Sequence, residues 1–397
     1  MKYLACIVVL LFVMLPISGC WDQRELNEIS LVTGLAVDQG RQKKYNVSFE
    51  AVNAAELTKK GGGGNAASLV FSQEGQSVSS LLEKMNIGIS RHLVYSHVRT
   101  VVISEMVAKE GLADILEFME RNREIRDDFN LVIARNVKAA DILRMSYPLQ
   151  KVSTLKLHQQ LSQAFHDWGS DPDVRMRDMI AAFTSKGREP VAATVTIAGN
   201  VKKGNSLDNT KKITPDALVE LCNLSVFRKD KLIGYLPLID TRNYLWLQNK
   251  PFNTSIVLHC EKKQTVTIRI REFTTDIHTN FNHQTPTIHV QMDTYGVVDS
   301  MQCKKLDLTK LNTYETLETM MSEHIRRELL HTIHKVQNKY KVDIFGFGDI
   351  AHRQHPKEFN SIAKWDEAFS KANIQVSVRA NIKRSGIYTK GFLNEMK

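Results

Sequence analysis

The chain has 397 residues, of which 43% are hydrophobic and 24% charged, a balance that supports packed cores and excludes a disordered or low-complexity protein. Its length allows two or three domains, and no stretch beyond the first segment approaches 18 consecutive apolar residues, which excludes a multi-span helical membrane protein. The formal net charge of +10 makes it basic, yet no nucleic-acid recognition motif accompanies that charge, so a nucleic-acid partner is not expected.

At the N-terminus, Lys2 precedes an apolar stretch from Leu4 to Leu15, followed by Leu15-Pro16-Ile17-Ser18-Gly19-Cys20. About a dozen apolar residues fall short of the roughly 20 that a retained spanning helix needs. Small residues at Ser18 and Gly19 suit the groove of a signal peptidase. The run is a lipobox, in which a diacylglyceryl group joins the Cys20 sulfur as a thioether and cleavage leaves Cys20 first. Residues 1–19 are then a cleaved signal, and losing Lys2 takes the charge from +10 to +9. Two acyl chains hold a protein on a bilayer, because each buried methylene contributes roughly 0.8 kcal/mol. An ordinary secretory signal with a chance cysteine is the alternative.

Next, Ile29 to Val37 and Tyr45 to Val52 form a hairpin around the polar turn at Asp38-Gln39-Gly40. Lys59 to Asn65, with four glycines, and Phe71 to Gly75 are expected to form a long mobile loop. The lysines there precede the glycines, so the phosphate-cradling order is absent. Ser77 or Ser79 caps a helix carrying Leu81, Leu82, Met85 and Ile89. Val98 to Ser104 is a strand, Met106 to Asn122 a helix, and Asn130 to Ala134 a strand. Helices follow over Ala139 to Met145, Leu155 to Trp168 and Val174 to Phe183, then a strand over Ala192 to Ala198.

Residues 199–214 hold glycines, asparagines and four lysines with almost no apolar groups, and are expected as a linker between an N-terminal α+β region, 20–198, of one or two lobes and a C-terminal α+β domain, 215–397. Strands are expected at Leu224 to Phe227, Leu232 to Leu236, Ser255 to Cys260, Thr265 to Ile270 and Thr287 to Met292. A long helix over 313–340 aligns Met321, Ile325, Leu329, Ile333, Val336 and Tyr340 in one stripe for packing on that sheet. Asp343 to Gly348 is a turn, Trp365 and Phe369 sit on a short helix, and Ile374 to Ile382 is a last strand. The fold class is α+β, multi-lobed, with mixed or antiparallel sheets each packed with helices and a lipid-anchored N-terminus.

Cys222, Cys260 and Cys303 are too widely spaced for a zinc knuckle or redox pair and are taken as free, buried small hydrophobes, with one disulfide among them as the alternative. His324, Glu328 and His331 share a helix face without the order of a zinc hydrolase. His352 and His355 are expected in a polar, basic loop, and His278 and His283 in a hairpin loop. No nucleophile elbow or dinucleotide fingerprint occurs. No catalytic, metal or cofactor-binding residue is assigned, no cofactor is expected, and the chain is taken as a binding or assembly component. Lysine pairs at 202–203, 211–212 and elsewhere are solvated surface or contacts to an anionic bilayer.

Gly19-Cys20-Trp21-Asp22, Arg24-Glu25-Leu26-Asn27-Glu28, Gly34-Leu35-Ala36-Val37-Asp38, Val226-Phe227, Asp230-Lys231-Leu232-Ile233-Gly234-Tyr235-Leu236, the turn at Asp343 to Gly348, Trp365 and the strand before Gly386 together resemble the Ger(x)C family. These are the C subunits of bacterial spore germinant receptors. The resemblance implies a three-lobed, non-catalytic α+β lipoprotein on the outer face of the inner spore membrane, anchored through Cys20. It implies A-type and B-type membrane subunits as partners and nutrient-triggered germination as the role. A solute-binding lipoprotein that captures the nutrient itself, and a hydrolase of wall or lipid, are the competing readings.

Overall fold

The computed structural model describes residues 28–53, 56, 65–261, 264–303 and 305–383. Among them, nine strands form one sheet: β1 (Ile29–Gln39), β2 (Tyr45–Val52), β3 (Ser68–Gly75), β4 (His92–Val94), β5 (Thr100–Ser104), β6 (Asn130–Ala134), β7 (Val191–Gly199), β8 (Ala217–Arg228) and β9 (Lys231–Pro237). Their order is β3-β2-β1-β5-β6-β7-β8-β9, with β4 beside the start of β1. The four central strands are parallel, and antiparallel pairs extend the sheet on both sides.

Helices cover both faces of that parallel centre, which explains its continuous apolar runs. Leu35, Val37, Val101, Ile103, Leu131 and Ile133 face helices Val78–Met85 and Ala113–Arg121. Alternate residues Ala36, Val102, Val132 and Ala134 face helices Ala139–Leu143 and Ser153–Trp168. The period of two delivers one set to each side.

The expected loop at Phe71 to Gly75 is instead strand β3, in which Phe71 pairs with Phe49 and stacks on its ring at 5.4 Å; the glycines at 61–64 lie outside the described residues. The expected helix from Met106 to Asn122 is two, Glu105–Glu110 and Ala113–Arg121, broken at Gly111 with φ +134. A side chain at Gly111 would meet the Asp230 carboxylate at 2.4 Å, and Asp230 receives the Leu112 and Ala113 N–H groups. Tertiary docking of the β8–β9 turn thus ends a helix whose periodicity continues.

Residues 199–214 hold a short helix, Val201–Gly204, and a 3-10 turn, Leu207–Lys211. The strands on either side of this stretch pair with each other, β7 along its whole length with Ala217 to Val226 of β8.

A second sheet has the order β10 (Thr254–Glu261), β11 (Gln264–Asn282), β12 (Thr285–Met301), β13 (Asn373–Ile382). β11 runs far beyond the expected Ile270. His278 pairs with His289 inside the ladder, and of the two histidines expected in a loop, His283 alone sits at the tip, with φ 55. Helix Leu311–Lys335, continued by a π turn to Tyr340, lays Met321, Ile325, Leu329, Ile333 and Val336 fully buried against this sheet.

Two further expectations are corrected. Cys260 and Cys303 form a disulfide with Cα atoms 6.2 Å apart, joining the end of β10 to the segment after β12, while Cys222 stays free and half-buried. The β10–β11–β12 meander brings together two cysteines 43 residues apart. His352 lies on helix Phe347–Gln354, and His355, its C-cap, donates from Nε2 to the Thr279 carbonyl at 2.6 Å. A loop was expected because that helix exposes its polar side.

Helix Leu238–Leu247 carries no amphipathic signal, since it is buried on all sides between the two sheets, and Asp240 through Leu247 are all enclosed. A helix without a wet face has no period to read.

Candidate functional site

Cys20, the single site residue expected from sequence, lies outside the described residues. Eight positions separate it from Glu28, so the link between them reaches at most roughly 29 Å. Glu28 leads into β1, and its carbonyl accepts the His92 N–H at 2.8 Å. The chain therefore enters the fold at the leading end of the parallel strands.

The two halves meet at the turn that follows the π turn. Asp343 is fully buried; its Oδ1 accepts from the Phe345 and Gly346 N–H groups (2.9 Å each), and its Oδ2 from Gly348 N–H (2.8 Å) and Trp365 Nε1 (2.9 Å). Burial pushes this carboxyl up to about 7, against those donors, which hold it down. With both oxygens filled, Asp343 is placed to fix a turn, not to move protons. Its carbonyl accepts Glu189 N–H from the first half at 2.7 Å, and Gly187 packs so closely on Gly348 that a Cβ there would lie 2.3 Å from backbone.

Beside this joint lies a cleft of about 1320 Å³. Its lining includes the aromatic Phe359 and Trp365, the cationic Lys186, Arg228, Lys229 and Lys341, and the acidic Glu189 and Asp366. Lys229 and Lys341 both hold left-handed backbone, φ 52 and 54, where glycine is the usual residue. Burial raises Glu189 to about 7 despite the Lys229 N–H it accepts, and burial also raises Asp366. The arrangement offers charge of both signs over an aromatic wall, so it can hold a polar organic molecule.

Helix Leu238–Leu247 seals the halves from inside. Asp240 accepts from Thr332 and from Lys335 (2.7 Å), and Asn243 donates to Thr332 at 2.9 Å. Arg242 lies over the Trp246 ring at 4.6 Å, and burial pushes its guanidinium down to about 10. Of the histidines singled out from sequence, His324 is half-buried, and burial lowers its pKa. Among the described residues, no three His, Cys, Asp or Glu side chains gather as a metal site would need. Sequence reading missed the Glu189 and Lys229 contribution, which depends on elements distant in the chain. The aspartate ahead of Phe345-Gly346-Phe347-Gly348 was the readable signal for the Asp343 turn.

Comparison with known proteins agrees with this architecture. The protein is 27% identical over 403 residues to spore germination protein KC of Bacillus subtilis (strain 168), covering 99% of this chain and 98% of that one. It is 22% identical over 382 residues to spore germination protein GerQC of Bacillus cereus, covering 95% and 98%. The crystal structure of the GerBC protein superposes with a TM-score of 0.51 at 18% identity, covering 88% of this chain and 96% of that one, a likeness of fold. The model of the spore germination protein N-terminal domain matches residues 22–197, and that of the B3/GerAC-like C-terminal domain matches residues 223–386. With both halves accounted for in order and nearly end to end, the chain belongs to the GerAC-like family of spore germination proteins.

Proposed function

We propose that this protein is the lipoprotein C subunit of a nutrient germinant receptor, tethered through Cys20 to the outer face of the inner spore membrane beside A-type and B-type subunits. The observation that carries the reading is the match of both family models in order, residues 22–197 and 223–386, on a chain as long as its relatives. Two features support it: the lipobox at Cys20, and the fact that among the described residues no helix is long and apolar enough to cross a membrane. A chain held in the plane of the bilayer meets membrane partners at raised effective concentration, so modest interfaces suffice for assembly. Its contribution on this reading is non-catalytic. Spores carrying Cys20→Ala should show the protein in the soluble fraction and a slowed nutrient response. A normal response with soluble protein would overturn the reading.

The cleft at the Asp343 joint favours a second reading, direct capture of a small polar nutrient between Glu189, Lys229, Lys341 and Trp365. Calorimetry of the protein against individual germinants separates the two. Heat of binding lost in Lys229→Ala would support capture.

A further inference from the structure

Two neighbouring loops hold bulky aliphatic side chains out into solvent next to lysines. In Tyr147-Pro148-Leu149-Gln150-Lys151, Leu149 is 97% exposed; in the stretch from Leu207 to Thr214, Ile213 is wholly exposed and Leu207 39%. Asn209 ties the loops together, its Nδ2 donating to the Ser146 carbonyl at 2.9 Å and the Ala217 carbonyl at 3.1 Å, while Ser146 N–H donates to Gly204 at 3.0 Å. Pro148, Lys151, Leu207 and Lys211 rim one cleft of about 480 Å³. Both loops therefore belong to one surface, over the sheet face covered by helices Ala139–Leu143 and Ser153–Trp168.

The first loop is also fixed relative to the chain's entry. Ser153 closes it by donating to the Met145 carbonyl, and the Ser153 N–H reaches Glu50 of β2, the hairpin partner of β1, at 2.8 Å. Single exposed aliphatics are ordinary on any surface. Two on hydrogen-bonded loops, flanked by Lys151, Lys211 and Lys212, form the pattern of an interfacial contact, in which apolar tips enter the acyl boundary and cations meet headgroups. Lys211 and Lys212 pair with Asp208 and Asp216 at the surface, and such exposed pairs exchange readily for a headgroup.

We propose that these loops are a second membrane contact: Leu149, Ile213 and Leu207 enter an anionic bilayer while Lys151, Lys211 and Lys212 lie at its phosphates, so that the protein rests on this face. This deepens the anchored reading by assigning the tethered body an orientation.

The test places a nitroxide at Leu149→Cys, Ile213→Cys or, as the control on the opposite face, Ile87→Cys, each in the full chain with Cys222→Ser. The labelled proteins are floated with vesicles of equimolar phosphatidylglycerol and phosphatidylcholine. Labels at 149 and 213 should lose access to a water-soluble nickel chelate and gain access to oxygen, while the label at 87 stays water-like. Replacing both tips, Leu149→Asp with Ile213→Asp, should lower partition onto the anionic vesicles roughly tenfold for chain that carries no lipid. Labels that remain water-like on floated protein, or are shielded only when receptor subunits are added, would overturn the proposal. Flotation on pure phosphatidylcholine reads the Cys20 anchor separately, so its failure is distinguishable.

Discussion

Buried carboxylates show most directly how single residues act here. Asp171 is fully buried; its Oδ1 accepts Asp173 N–H at 2.7 Å, its Oδ2 meets no donor among the described residues, and burial pushes its pKa up to about 7. A carboxyl raised above its unfolded value favours folding while protonated, and that advantage fades as pH climbs from about 4 through 7. Asp171→Asn should therefore melt higher than the parent at pH 8, by about 2–4 kcal/mol, and show no gain at pH 4, checked by denaturation at both pH values. Asp343 is the opposite case, because its oxygens satisfy buried N–H groups. Asp343→Ala strands those donors and should cost about 3–5 kcal/mol in urea unfolding. The Asx turn at Asp343 could be read from the glycines after it. Its bond to Trp365, 22 residues on, could not, because nothing local specifies which indole reaches a buried oxygen.

At the level of elements, the Cys260–Cys303 bridge closes a 43-residue loop that holds the β11–β12 hairpin and ties it to the end of β10. Cys303→Ser should destabilise the protein by about 2–4 kcal/mol, read as a lower denaturation midpoint. Elements with one wet face were legible in advance. The stripe from Met321 to Tyr340 and the alternation of Val266, Ile268 and Ile270 each repeat at the period of their structure. Helix Leu238–Leu247 was not, since enclosure on every side erases periodicity, and the break at Gly111 was not, since it answers to Asp230 in a distant turn.

For the whole molecule, β8 and β9 extend the sheet begun at β1, so the first sheet takes strands from both sides of residues 199–214. Cutting the chain within 199–214 and producing residues 20–198 alone should leave the β7 edge unpaired and give aggregating protein, whereas co-production with the remainder should restore a soluble complex, measured by gel filtration. The amino-acid sequence by itself determined the mixed class of fold, the long helix with its stripe and the family, because each is written in neighbouring residues or in local period. Only the tertiary structure decided the disulfide, the joint at Asp343, the sealed helix between the sheets and the paired aliphatic loops, because each depends on which distant segments share space once hydrophobic burial has closed the core.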